Sequence, residues 1–256
     1  MRSVVILCFS VCAFIMSCTP FSSIRLYKNE DAASSVYKIV ANEYVDIRPL
    51  KKIMAAAGYD VSGAPDIQER SWGGTAWVIG GGDETSYVMT AGHICESDTV
   101  FHTQLFGDLP IVGVSYSVES ASGTTNVALM QSDNDDIDLC TLSVEANLGR
   151  PLMLASSDPV YGAEIEYIGA PGLIWGGGIA PIYKGLFSGR GTPWGGEQEV
   201  LAVTVTSTGG ASGSPVLYNG MVIGVFTADG REFKDFGSAV PWDVVQKFWK
   251  KSLWKV

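Results

Sequence analysis

From residue 72 onward the chain is built of short apolar runs, each broken by glycine or a polar turn. Thr75-Ala76-Trp77-Val78-Ile79 leads into the turn Gly80-Gly81-Gly82-Asp83, and then Ser86-Tyr87-Val88-Met89-Thr90 follows. Further runs occupy residues 111–118, 126–130, 139–144, 164–168, 200–206 and 221–226. Runs this short, rich in β-branched and aromatic residues and separated by turn signals, predict an all-β barrel or sandwich. Residues 35–40 alternate weakly, as a first strand would. Two segments carry the helical period instead. Within residues 46–57, Ile47, Leu50, Ile53 and Met54 recur at helical spacing. In the last segment, Pro241 opens a helix on which Val244, Val245, Phe248 and Leu253 form an apolar stripe.

The beginning of the chain has a different texture. Arg2 precedes an uncharged apolar run of thirteen residues, 4–16, short of the ~20 needed to span a bilayer as a helix. That pattern fits a secretory signal. Ile15-Met16-Ser17-Cys18 resembles a bacterial lipobox, which implies cleavage before Cys18 and acylation of its thiol. Residues 1–17 are then a signal peptide and 18–34 a polar tether. The expected location is outside the cytoplasm, lipid-anchored to a bacterial membrane; Thr19 after the cysteine suits the outer membrane or periplasmic face. An ordinary signal with an incidental cysteine, giving a secreted protein, is the alternative.

Composition narrows the function classes. Hydrophobic residues at 46% and charged ones at 17% exclude wholesale disorder. Seventeen Lys and Arg against 27 Asp and Glu give a net charge of −10, so no basic stripe exists to neutralise nucleic-acid phosphates. Histidines number two, His93 and His102, which argues against a multi-histidine metal site, and no metal or organic cofactor is expected.

Two segments carry candidate chemistry. Thr208-Gly209-Gly210-Ala211-Ser212-Gly213-Ser214-Pro215 presents a serine among glycines, where the backbone can bend sharply and leave N–H groups free. Thr90-Ala91-Gly92-His93 follows an apolar strand, and the small residues before the histidine permit close approach to its ring. With Asp138-Leu139-Cys140-Thr141-Leu142 between them, the chain resembles the chymotrypsin/trypsin-like serine proteases of the short bacterial or viral type. That family carries Thr-Ala-(Ala/Gly)-His, an Asp-hydrophobic strand and Gly-x-Ser-Gly-(Gly/Ser)-Pro in this order. Weaker matches are Gly73-Gly74-Thr75 before the histidine, residues 162–172, and Gly220-Met221-Val222-Ile223-Gly224-Val225 after the serine.

The resemblance implies two six-stranded antiparallel β-barrels with a C-terminal helix. The first would span 35–148 and carry the histidine and aspartate; the second, 149–256, would carry the serine. It also implies roles. Ser212 attacks the substrate carbonyl, His93 is general base and then acid, Asp138 orients the imidazole, and the N–H groups of Gly210 and Ser212 form the oxyanion hole. Four aspartates crowd this region: 133, 135, 136 and 138. Choosing Asp138 puts the small Cys140 two residues on, at an inward position, whereas choosing Asp136 would bury the charge of Asp138 there. Asn126-Val127-Ala128-Leu129 mimics the motif with asparagine in place of aspartate.

Thr206, Ser207, Thr227 and Asp229 are the residues expected at the substrate pocket. Thr206 stands where members selective for Lys or Arg carry an aspartate, and Asp229 could restore part of that preference. Cys8 and Cys12 leave with the signal, and Cys18 takes lipid. Cys95 and Cys140 remain; export permits a disulfide, but two buried free thiols are the expectation.

The function expected is a serine endopeptidase acting on polypeptides, touching a membrane only through Cys18. The alternative is a trypsin-like fold used as a non-catalytic binding or structural exported lipoprotein. In a bacterial host, palmitate should label the wild type and not Cys18→Ala, which should be released in soluble form. Unlabelled wild type cut elsewhere near residue 18 would indicate simple secretion.

Overall fold

The computed structural model describes residues 29–96, 109–192, 198–229 and 235–253. The signal run, the lipobox with Cys18, and His102 lie outside the described residues.

Strands β1 (Val36–Asp46), β2 (Ile67–Gly81), β3 (Ser86–Thr90), β4 (Ile111–Glu119), β5 (Thr125–Asn134) and β6 (Leu139–Val144) form one barrel. It closes in the order β1-β2-β3-β6-β5-β4. Strands β7 (Glu164–Ile168), β8 (Ile182–Gly191), β9 (Val200–Thr204), β10 (Pro215–Tyr218), β11 (Met221–Asp229) and β12 (Gly237–Pro241) form the second. Its order is β10-β11-β12-β9-β8-β7, and every pairing in both barrels is antiparallel. Closure removes the free strand edges that would otherwise invite aggregation. Among the described residues the α-helices are α1 (Asn29–Ala33), α2 (Arg48–Ala56), α3 (Gly92–Cys95) and α4 (Trp242–Leu253).

Each barrel fills its interior with alternate residues of its strands. Ile39, Ala76, Val78, Val88, Val118 and Leu142 lie inside the first, and Tyr167, Phe187, Leu201, Val203, Ile223 and Phe226 inside the second. A third cluster forms the seam. Trp77, Met89 and Leu139 from the first barrel meet Ile168, Leu217, Val222 and Val240 from the second, together with Val245 and Phe248 of α4. Helix α4 then reaches back to the first barrel. Its Trp249 packs at 5.4 Å from Tyr87, over Gly80, where any Cβ would meet the indole.

The helical period read over residues 46–57 becomes α2, but none of its residues is buried. The helix lies in the β1–β2 connection, so its apolar stripe faces outward.

One expectation is overturned. Cys95 and Cys140 are not free thiols but a disulfide, with Cα atoms 6.4 Å apart. The physical reason is tertiary: α3 folds the chain back toward β6. Although each cysteine stands two residues after a member of the His93–Asp138 pair, that spacing alone does not show that the side chains meet. Linking residues 45 apart stabilises by about 4 kcal/mol in the chain-entropy model.

Arg190 at the end of β8 ties α4 to its barrel. Its guanidinium lies 2.9 Å from Asp243 in the first turn of α4, 2.9 Å from Glu199 and 3.7 Å from Asp158. Burial alone would raise the Asp243 carboxyl, but the Arg190 guanidinium outweighs it and holds the group below its ordinary value. A carboxyl depressed in the folded state stabilises above its unfolded pKa of ~3.9 and stops doing so in stronger acid. Arg190→Ala should therefore lower the thermal midpoint at neutral pH. The gap to wild type should narrow as pH falls below about 4, as thermal denaturation at a series of pH values would read.

Candidate active site

β3 delivers the histidine. The strand ends at Thr90, Ala91 is still extended, and the single turn of α3 projects His93 outward. Its side chain is 45% exposed, against 34% for Asp138. The ring Nδ1 lies 3.0 Å from both Asp138 carboxylate oxygens, and the His93 peptide N–H donates to Oδ1 at 2.9 Å. Asp138 follows a 3₁₀ turn, Asp135–Ile137, and adopts φ +51°. That left-handed conformation is uncommon away from glycine and is easiest for Asn and Asp. Asp136 is exposed. Of the aspartates considered, the one meeting the histidine is Asp138, and Cys140 two residues on is fully buried. Asn126 lies on β5 opposite Val118 of β4.

The serine loop belongs to the second barrel and is sewn to the first. The Thr75 N–H donates to the Ser212 carbonyl at 2.8 Å, and Thr75 Oγ1 donates to the Gly210 carbonyl at 2.9 Å. The same hydroxyl accepts from the Ala170 N–H at 2.9 Å, while Thr90 Oγ1 donates to the Thr75 carbonyl at 2.7 Å. Gly213, at φ +86°, sits against this knot; a Cβ there would strike the Thr75 carbonyl and Thr90 Oγ1. No side chain fits, so the loop lies directly on the backbone leading to His93.

Peptide planarity then aims the two donors expected of the oxyanion hole. The Gly209 carbonyl accepts from Gly172 N–H at 2.6 Å, and the Ala211 carbonyl from Ser214 N–H at 3.0 Å. In a trans peptide the N–H points opposite to the C=O, so the Gly210 and Ser212 N–H groups face away from these partners. Among the described residues neither donates to another protein atom. Gly210 reaches this geometry at φ +97°, where a Cβ would collide with the Ala170 carbonyl.

Ser212 Oγ donates to the Thr227 carbonyl at 3.3 Å; among the described residues no hydrogen bond joins it to His93. Of the pocket residues, Thr206 is exposed and Ser207 is buried with its hydroxyl unpartnered among the described residues. Tyr167 OH donates to the Thr206 carbonyl at 2.9 Å. Asp229 ends β11, and its side chain lies outside the description. Sequence reasoning missed Asp235, whose carboxylate accepts from Thr206 Oγ1 at 3.0 Å. Its only sequence signal is an acid in the loop after β11. Thr75 was missed as well, because a threonine inside an apolar run reads as ordinary strand.

Thr75→Val keeps shape but removes a buried hydroxyl that makes two hydrogen bonds. The expected loss is about 1–3 kcal/mol of stability for each partner left unsatisfied, with slower reaction at Ser212. Chemical denaturation together with labelling by a serine-directed fluorophosphonate would measure both.

The family model for the trypsin-like peptidase domain matches residues 74–225 of this chain. No curated protein matches it. Among solved structures, the Rv3671c protease from M. tuberculosis, in its active form, is similar with a TM-score of 0.56 at 19% identity. That match covers 86% of this chain and 81% of the other. The HtrA-type protease AlgW with a decapeptide gives a TM-score of 0.62 at 18% identity, covering 88% of this chain and 66% of the other. At such identities these likenesses speak for the fold. The family match reaches further, for it runs from the strand holding Thr75 through the histidine, aspartate and serine segments. This chain belongs to the trypsin-like peptidases and is by that membership a serine endopeptidase.

Proposed function

We propose that Ser212, His93 and Asp138 are the nucleophile, the general base and the orienting carboxylate of this endopeptidase. The observation that carries the reading is the double hold of Asp138 on His93, through ring Nδ1 and peptide N–H together. With its Nδ1–H donating a hydrogen bond to the carboxylate, the neutral imidazole keeps Nε2 as the acceptor. The Ser212 hydroxyl turns from the Thr227 carbonyl to Nε2, loses its proton there and attacks the scissile carbonyl carbon. Negative charge then gathers on the carbonyl oxygen. The Gly210 and Ser212 N–H groups receive it, each worth about 3–4 kcal/mol in the transition state. The imidazolium, steadied by Asp138, passes its proton to the leaving amine, and water repeats the sequence on the acyl-enzyme.

The substrate is a polypeptide, a reading supported by the decapeptide bound to AlgW. Thr206, Ser207, Thr227 and Asp229 line the pocket for its side chain, with Asp235 adding a carboxylate beside Thr206. The enzyme acts outside the cytoplasm, anchored through Cys18. The lipobox-like residues 15–18 support that location, and a disulfide suits an oxidising compartment.

A fluorophosphonate probe should label the wild type and fail to label Ser212→Ala. Asp138→Asn should lower kcat/KM by about 10⁴ through the wrong imidazole tautomer, and Asp136→Asn should leave it unchanged. Labelling that survives Ser212→Ala, or damage from Asp136→Asn alone, would contradict the assignment.

A further inference from the structure

We propose that the Cys95–Cys140 disulfide is a positioning element of the active site, holding His93 in register with Asp138. The inference rests on the roles proposed above for those two residues. Cys140 holds both ends of the histidine segment. Its backbone pairs with Thr90 in the β3–β6 ladder, and its sulfur is bonded to that of Cys95. The stretch from Thr90 to Cys95 is thus a small loop closed on one residue, with His93 inside it. Asp138 stands two positions before that same residue, and His93 two positions before Cys95. One covalent bond therefore joins the two arms that bear the paired side chains.

The loop needs such a tie. α3 has only four residues and no side-chain cap at its N-terminus, and a single helical turn does not hold itself together. The carbonyls at its end are satisfied from outside. Trp72 Nε1 donates to the Ile94 carbonyl at 3.0 Å, and Tyr116 OH donates to the Cys95 carbonyl. Burial, and after it the charge of Asp133, raise the Tyr116 phenol above its ordinary value, so it remains a donor. The Arg70 guanidinium lies 5.0 Å from the Trp72 ring centre. These contacts fix the height of the turn above the barrel. The lateral spacing between α3 and the start of β6 is set from three sides: the backbone of Gly92 lies so close to Asp138 and Leu139 that a Cβ would crowd them, the disulfide ties Cys95 to Cys140, and His93 hydrogen-bonds to Asp138. The disulfide is the covalent one of these holds, and without it Asp138, at an uncommon φ of +51°, can relax away from the ring.

The test is a cycle of variants. Cys95→Ala/Cys140→Ala is made in the wild type and in Asp138→Asn, and kcat is measured on a peptide substrate per active site titrated with a phosphonate. In the wild type, kcat should fall at least about tenfold with KM unchanged, since a misplacement near 1 Å can cost up to about 10². In Asp138→Asn the same pair should cost less than about twofold, because the alignment it protects is already lost. Equal losses in both backgrounds, or no loss in either, would overturn the proposal and leave the disulfide a staple of stability alone. Should the double variant fail to fold, Cys95→Ser alone breaks the bond and leaves Cys140 in the core; it should show the same non-additive pattern, and additivity would overturn the proposal equally. A wild type that neither hydrolyses peptides nor labels at Ser212 would refute the function itself, a failure distinct from either result.

Discussion

The hydrogen bonds of Thr75 hold the two barrels in working register. Its side chain is fully buried, and its three polar groups engage four partners: the carbonyls of Ser212 and Gly210, the N–H of Ala170 and the hydroxyl of Thr90. Two of these partners belong to the serine loop and one to the strand that delivers the histidine. An apolar seam could bring the barrels together but would tolerate sliding, because hydrophobic contact has no preferred direction. Buried hydrogen bonds are directional and costly to leave unmade. They convert the seam into one defined alignment of serine loop and histidine turn. Gly213 shows how close that alignment is, since the loop backbone meets Thr75 and Thr90 with no room for a methyl group.

Around this junction the site divides its tasks. In the proposed mechanism the first barrel supplies the proton-handling pair, His93 and Asp138, both partly exposed at its rim. The second supplies the serine and the N–H groups, with Gly172 N–H and Ser214 N–H anchoring the carbonyls that set their direction. Backbone anchors suit this task, because donors already fixed need not reorganise as charge develops. The disulfide lies wholly within the first barrel, between the arms that carry His93 and Asp138. Junction and disulfide therefore constrain different coordinates of the same centre.

Much of this was legible in the sequence, for physical reasons that vary by element. β3, β6 and β7 carry clean short apolar runs, and their bounds were readable to the residue. The serine and histidine segments were recognisable because glycines and small residues at those positions have a steric cause, and the aspartate segment through the resemblance to the family's order of motifs. β8 escaped notice, since Gly185, Gly189 and Gly191 interrupt its pattern, and Gly185 is needed where a Cβ would meet the Thr204 carbonyl. β10 was hidden within the serine motif. β1 runs on to Asp46 through Glu43, a buried carboxylate that reads as the end of a strand until Arg70 is found 3.8 Å away. The nearness of Cys95 and Cys140 was hinted at by their places two residues after His93 and Asp138, but their bond, the Thr75 junction and the place of Asp235 were not legible. Each depends on a chain return that only packing determines.

The central claim is that this junction presents the Gly210 and Ser212 N–H groups to one oxygen beside the His93–Asp138 pair. A crystal structure of the wild-type enzyme inhibited by a peptidyl phosphonate tests it most directly. The account predicts phosphorus bonded to Ser212 Oγ and one phosphonyl oxygen about 3 Å from both nitrogens. His93 Nδ1 should remain on Asp138 and the Thr75 hydrogen bonds intact. An adduct whose oxygen meets neither N–H group, or one formed only with the Thr75 contacts broken, would contradict it.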